Sequence, residues 1–473
     1  MSKKIYIIYM NHKILLILTL SLTASIVYAQ NEPYVLGADI SWMQQRENER
    51  VKYYRGSQEG DLLSILKGVG FNYIRLRLFV DPKATDASKV DNSGWNPYPY
   101  SAAGYCGLDS TIKVAKRVKD AGMKFLLDFH YSDTWADPGK QYKPVSWQSL
   151  NTVALLSDKV RSYTKESLQK FKEAGALPDM VQVGNEVVHG MIHPEGKNNG
   201  DAFARLVLAG INGVKDVDPN IKIMMHTINS ENPLGWLNTL KSNLNKVEAN
   251  AANKIDVIGL SYYPKWHGNV DSLKRVMTAI SKNHNIKIAV AEYADFHREV
   301  NDAVYNLPEN EGLGTFAWEP QEFSGDDSKP LFDWTNNARR SNARLELYPK
   351  MVIDYGLSNV QSSSSSSNTS SSSSKAQSSS SLNTPSSSSS NTPSSSSSSK
   401  AQSSSSSSNT PSSSSSSNIE SSSSAEDITP VLTHSVEKNM ENIRLYFDGS
   451  RVLIKKTLSN GKVRIFDLKG DER

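Results

Sequence analysis

The chain has 473 residues, 22% of them charged, a formal net charge of +4 and a single cysteine, Cys106. Lys3, Lys4 and Lys13 carry three of those charges and residues 361–473 two more, which leaves about −1 over residues 30–360. That balance offers no electrostatic footprint for nucleic acid or an anionic membrane, and one cysteine excludes an intrachain disulfide, so stability must come from core burial.

In chain order, residues 1–29 read as a signal peptide. The three lysines precede an apolar run from Ile14 to Val27, and Val27-Tyr28-Ala29 sets a small residue before Gln30. The run is too short and too weakly flanked for a membrane span, and no later segment is long and apolar enough. Export is the expectation, to the extracellular space or the cell surface, as a monomer.

From Tyr34 onward one pattern recurs eight times: a short apolar run, a polar or aromatic end, then an amphipathic segment. The runs are Tyr34–Ser41, Tyr73–Phe79, Lys124–His130, Met180–Glu186, Ile221–Thr227, Val257–Tyr263, Lys287–Tyr293 and Gly314–Pro320. Asp61–Val69, Thr111–Ala121, Thr152–Ala174, Ala202–Val217, Asn238–Asn253 and Val270–Asn283 are the helical candidates between them; Phe203, Leu206, Val207, Ile211 and Val214 recur at helical spacing. Eight strands alternating with helices predict an α/β fold, a closed (β/α)8 barrel over residues 30–360. An open doubly wound sheet would carry a glycine-rich phosphate loop after an early strand, and there is none.

Residues 361–424 are nearly all serine, broken by Asn-Thr-Pro and Lys-Ala-Gln, and read as a flexible linker. Residues 425–473 recover strand signals in Ile443–Phe447, Arg451–Thr457 and Lys462–Leu468, with Asp448-Gly449 and Asn460-Gly461 as turn pairs, and predict a small β-rich module. It lacks tryptophan, so a flat carbohydrate-stacking platform is not expected there. Val463–Gly470 resembles the start of the C-terminal sorting domains of type IX-secreted proteins and stops short of that pattern.

Barrel closure brings the carboxyl ends of all eight runs to one face, where barrels of this kind carry their chemistry. Those ends supply Asp39 and Trp42, Arg75 and Arg77, Asp128 and His130, Asn185 and Glu186, His226, Tyr262 and Tyr263, Glu292, and Trp318 and Glu319. Singly, each has a structural reading: an arginine neutralising a buried acid, a tryptophan filling core, a packed histidine. Together they suggest a site. Glu186 and Glu292 end the fourth and seventh runs, and cleavage of a glycosidic bond needs two carboxyl groups, about 5 Å apart for a retaining double displacement. One must hold a proton and the other must stay ionised. Arg77 or Arg75, with the Tyr263 hydroxyl, would hold the charge on Glu292. Asn185 suits donation to a sugar 2-hydroxyl, and Trp42, Trp135, Trp266 and Trp318 offer rings for pyranose faces. The loop Tyr131–Gln141, with Asp133, Trp135 and Asp137, reads as a substrate wall.

Several of these stretches closely resemble glycoside hydrolase family 53: Gly37–Trp42, Arg75–Pro82, Asp128–Gly139, Gln182–Glu186, Leu260–Gly268 and Ala291-Glu292-Tyr293. The likeness covers about residues 34–356. It implies an arabinogalactan endo-β-1,4-galactanase of the clan of retaining barrel glycosidases, acting on galactan side chains of plant cell-wall pectin. It further implies Glu186 as acid/base and Glu292 as nucleophile, with Asp39, Trp42, Arg75, Arg77, His130, Asp133, Trp135, Asp137, Asn185, His189, Tyr263, Trp266 and Trp318 as substrate-binding positions. Some bacterial members bind calcium on a longer loop after the seventh strand. Here only Ala294–Leu313 intervenes, and its acids lack a regular ligand spacing, so no metal or other cofactor is expected. The carboxylate pair also fits another retaining clan member, a mannanase or xylanase, and an inactive surface protein that binds carbohydrate is the alternative from a different class.

Overall fold

The computed structural model describes residues 33–86, 99–229, 232–322 and 328–357, together with the backbone of three strands between 443 and 466. The signal segment, the serine tract and the turn pairs at 448–449 and 460–461 lie outside the described residues. The chain divides into two units, Met1–Ser374 and Lys375–Arg473.

The first unit contains β1 (Val35–Asp39), β2 (Lys52–Arg55), β3 (Gln58–Gly60), β4 (Tyr73–Leu78), β5 (Lys124–Phe129), β6 (Met180–Val183), β7 (Lys222–Ile228), β8 (Val257–Tyr262), β9 (Lys287–Tyr293), β10 (Gly312–Trp318), β11 (Phe332–Thr335) and β12 (Ala338–Ser341). The eight expected runs are β1 and β4 to β10, and they close a barrel in the order β1-β10-β9-β8-β7-β6-β5-β4. Every neighbouring pair is parallel. The (β/α)8 expectation is met.

Side chains alternate across a strand, so one set of each strand faces the barrel axis and the other faces the helices. The inward set forms its own apolar plug: Val35, Tyr73, Leu126, Met180, Met224, Val257, Ala289, Ala291, Leu313 and Phe316, at least one from every strand. Gly37 makes room for it, since a Cβ there would lie 2.4 Å from the Phe316 ring. The outward set packs against the helices in the larger core. Helices Leu62–Gly68, Leu108–Asp120, Val153–Glu173, Asp201–Lys215 and Val270–Asn283 lie close to their expected bounds.

One helix is displaced from its expected span. Pro233–Val247 starts five residues before Asn238, because the Asn232 side chain accepts from the Gly235 N–H and Pro233 opens the first turn. Glu248 is extended and ends it, and Ala251–Lys254 forms a separate 3-10 turn. The β6 run is also shorter than its apolar stretch, ending at Val183 because Gly184 and Glu186 take positive φ.

A second sheet, β11-β12-β2-β3, has no counterpart in the sequence reading. Its strands belong to the segments after β1 and after β10, both on the barrel's carboxyl face. Each is three or four residues long, too short to register as an independent apolar run. In the second unit, β13 (Ile443–Phe447), β14 (Val452–Thr457) and β15 (Val463–Phe466) form an antiparallel sheet in chain order, as the strand signals predict.

Candidate active site

Above the apolar plug, the same inward positions turn polar. On β4, Tyr73 belongs to the plug and the alternation carries Arg75 and Arg77 inward after it; on β1 it carries Asp39, and on β5 it carries Asp128, with His130 next in phase just past the strand's end. Arg75 is fully buried and pairs with Asp39 at 2.8 Å, Asp128 at 2.8 Å and Glu292 at 2.9 Å. Its Nε donates to Gln182 Oε1 at 3.1 Å, and Nη2, the nitrogen that faces Asp128 and Glu292, also lies 2.8 Å from Asn185 Oδ1. A guanidinium taken out of water needs this full set of acceptors, and the acids need it in return. The ion network is therefore the floor of the site.

Two backbone irregularities aim the glutamates. Strict alternation from Ala289 and Ala291 would turn Glu292 outward, but β8 and β9 shift register so that Leu260 faces Val290 and Ser261 faces Glu292. The bulge brings Glu292 to the cleft and sends Tyr293 out, where its hydroxyl meets that of Tyr348 at 2.8 Å. Glu186 follows β6 in a left-handed conformation (φ 46°, ψ 48°), which is costly for a residue with a Cβ and typical of functional positions.

Both glutamates line one cleft of about 210 Å³ together with Arg77, His130, Trp135, Ala136, Asp137, Lys140, Asn185, Tyr263 and Trp318. Their surroundings differ. Glu292 has Arg75 at 2.9 Å and accepts from the Tyr263 hydroxyl at 3.1 Å. Burial raises its pKa, and Arg75 is the largest influence opposing that rise. Burial and then the facing charge of Glu292 push Glu186 up to about 8, with Asp137 adding to the rise. Two carboxyl groups in one desolvated cleft cannot both ionise cheaply. The charge belongs with the cation and the hydroxyl donor, on Glu292, and the retained proton belongs on Glu186.

The walls are aromatic. The Arg77 guanidinium lies 4.6 Å from the Trp135 ring, 5.3 Å from Trp42 and 6.0 Å from Trp318, and it pairs with Asp39 and Glu319 rather than with Glu292. Trp42 stands behind the lining, edge-on to Trp135 and Trp318. Asn185 donates one amide hydrogen to Ala136 O at 2.8 Å, which leaves one for a ligand hydroxyl. Asp137 sits at the rim 3.6 Å from Lys140.

Nine of the fifteen positions expected from the sequence to be catalytic or substrate-binding therefore line the cleft: Arg77, His130, Trp135, Asp137, Asn185, Glu186, Tyr263, Glu292 and Trp318. Asp39 and Arg75 lie beneath them, fully buried. Asp133 anchors the loop that carries Trp135, accepting from the backbone N–H of Asp81 at 2.9 Å and Val145 at 2.7 Å. His189 is on the 3-10 turn after Glu186, and Trp266 is 67% exposed on the short helix Pro264–His267; neither is part of the lining. Lys140, Gln182 and Ser261 were not singled out. Gln182 and Ser261 interrupt apolar strands in phase with Met180 and Val257, and that phase was the signal for them. Among the described residues no group of three or more His, Cys, Asp or Glu is placed to hold a metal ion, and no helix is long and apolar enough to cross a membrane.

The arrangement pairs one protonated and one ionised carboxyl group inside an aromatic-walled cleft. The family model described as glycosyl hydrolase family 53 matches residues 35–303. An endo-beta-1,4-galactanase of Bacillus subtilis (strain 168) is 33% identical over 334 residues, which cover 62% of this chain and 71% of that protein. Among solved structures, an Ignisphaera aggregans GH53 catalytic domain is 31% identical with a TM-score of 0.57, covering 67% of this chain and 97% of that one. A fungal beta-1,4-galactanase structure is 28% identical with the same TM-score of 0.57, covering 66% and 98%.

Proposed function

Since the chain belongs to glycosyl hydrolase family 53 and is a glycoside hydrolase, we propose that it is an exported endo-β-1,4-galactanase that cuts galactan side chains of type I arabinogalactan by a retaining double displacement. Glu292 is the nucleophile and Glu186 the acid/base. The observation that carries this reading is the unequal setting of the two carboxyl groups: Arg75 and the Tyr263 hydroxyl on Glu292, burial and a facing carboxylate on Glu186.

In the first step Glu292 attacks the anomeric carbon while Glu186 gives its proton to the departing glycosidic oxygen. As the glycosyl–Glu292 ester forms, the negative charge beside Glu186 is lost, its pKa falls, and it becomes the base that the second step requires. Water, deprotonated by Glu186, then opens the ester and restores the starting protonation. Arg75 and Tyr263 stabilise the carboxylate before attack and again as it leaves. Trp135 and Trp318 present apolar rings to sugar faces, and Asn185 offers its second amide hydrogen to the 2-hydroxyl. Export is proposed from the lysine-flanked run Ile14–Val27.

The test is release of reducing ends from galactan, mannan, xylan and cellulose at equal concentration. The reading requires galactan to be preferred; faster cleavage of any of the other three removes the substrate assignment.

A further inference from the structure

Gln141 lies in the loop that follows β5, is buried and does not line the cleft. Its side-chain amide nevertheless joins two segments that do. Nε2 donates to the Asn185 carbonyl at 2.9 Å and to the Asp137 carbonyl at 3.1 Å. Carbonyl oxygens only accept, so the nitrogen must face both and each amide hydrogen is taken. The backbone of Gln141 is tied to the segment after β6 as well. Its carbonyl accepts from the His193 N–H at 2.7 Å, and Tyr142 pairs with His193. Two residues on, Lys143 forms an ion pair with Glu195 at 2.7 Å. Gln141 is thus anchored on the segment that its amide holds.

The Asn185 carbonyl belongs to the peptide that enters Glu186. A peptide unit is planar, so turning that C=O turns the Glu186 N–H with it and changes φ of Glu186. Glu186 sits at φ 46°, a left-handed conformation that persists in a residue with a Cβ only where its surroundings impose it. The N–H of the same peptide meets His226 Nδ1 at 3.4 Å, so the shorter of these two bonds is the one from Gln141. The other acceptor of the Gln141 amide, Asp137, carries a charge that adds to the rise in the Glu186 pKa. One amide therefore spans the acid/base and a neighbour that helps it keep its proton.

We propose that Gln141 is a positioning residue for the acid/base: its amide ties the loop after β5 to the Asn185–Glu186 peptide and so aims the Glu186 carboxyl group at the departing glycosidic oxygen. This rests on the reading of Glu186 as the acid/base. Gln141 acts through two backbone carbonyls, without lining the cleft itself.

The test is the leaving-group dependence of kcat/KM, which reports the first irreversible step and hence departure of the glycosidic oxygen. Galactan needs a proton on that oxygen; a dinitrophenyl galactobioside does not. Gln141→Met keeps the length of the side chain and removes both hydrogen bonds. The ratio of kcat/KM on galactan to that on the aryl glycoside should fall about 10–100-fold, the effect of a small misplacement of a reacting group. Both substrates meet the same preparation, so the folded fraction cancels in the ratio. A ratio that stays at the wild-type value overturns the proposal, whether both rates fall together or neither falls. Gln141→Glu has at most one hydrogen for the two carbonyls and must lower the ratio too; it decides the matter if the methionine variant yields no folded protein. Glu186→Ala on the same two substrates separates the failures. A ratio lowered there and unmoved in the Gln141 variants refutes only the positioning role, whereas a ratio unmoved in Glu186→Ala removes the acid/base reading beneath it.

Discussion

Replacing Arg75 by methionine, which keeps much of the side chain's length and none of its charge, bears on fold and chemistry at once. In the native protein the guanidinium lies 2.8–2.9 Å from three carboxyl groups, on Asp39, Asp128 and Glu292, all in the barrel interior. Breaking a buried pair by removing one partner costs about 3–5 kcal/mol, because the other charge is left uncompensated. The stability of a domain is itself only about 5–15 kcal/mol, so the variant should still fold, with a melting temperature lower by roughly 5–15 °C. The pH dependence supplies the sign. Burial pushes the Asp128 pKa up, but Arg75 and then His130 outweigh it and hold it below the usual value. A group with a depressed folded pKa contributes stability above its unfolded pKa and loses it as pH falls through the folded value. Without Arg75 burial dominates, folded pKa values rise above unfolded ones, and the stability deficit is largest near neutrality and shrinks on acidification. Glu292 loses its cation in the same substitution, and kcat/KM should fall at least about 10³-fold. Thermal melts of both proteins from pH 5 to 8, with initial rates on galactan, test the argument. A variant melting within about 2 °C of wild type at pH 7, or one whose deficit grows towards acid, refutes it.

Three further outcomes follow from the same geometry. Glu186→Ala should lose turnover on galactan yet recover part of it with azide on an aryl galactoside whose leaving group needs no proton; no response to azide on such a substrate would contradict the acid/base role. Tyr263→Phe removes the 3.1 Å hydrogen bond to Glu292, and should lower kcat/KM by about 10–100-fold while raising the acid limb of the profile, since a carboxylate that loses a donor binds its proton more tightly. In the wild-type enzyme burial and Glu292 hold the Glu186 proton up to about pH 8, so the alkaline limb of kcat/KM should fall near 8; a limb below 6 would remove Glu186 as the group that must be protonated.

The barrel was legible because its signals are local and repeated. Each strand buried on both faces is an apolar run, and polar residues in phase with its inward set mark the end that opens to solvent. Arg75, Arg77, Asp128 and His130 could be assigned to the interior by counting in twos from the plug. What escaped depends on contacts between distant segments. The register shift opposite Leu260 and Ser261 re-aims Glu292, and no property of Ala291-Glu292-Tyr293 announces it. Trp266 and Trp318 look equivalent as sequence, yet one is 67% exposed and the other lines the cleft, because the outcome is set by where each loop turns. The sheet β11-β12-β2-β3 is assembled from pieces 286 residues apart, Lys52 pairing with Ala338 and Tyr53 with Arg339; its local cues were two short turns, Gly56-Ser57 between β2 and β3 and Asn336-Asn337 between β11 and β12, where Gly56 and Asn336 have positive φ.

The two-carboxylate mechanism is tested most directly by trapping its intermediate. A 2-deoxy-2-fluoro-galactosyl fluoride slows both steps by destabilising positive charge at the anomeric carbon, while its good leaving group lets the first step outrun the second. Intact mass spectrometry should then record a single added fluorogalactosyl group, and peptide mapping should place it as an ester on Glu292. Steady turnover of that reagent with no adduct, or an adduct on any other residue, would contradict the account.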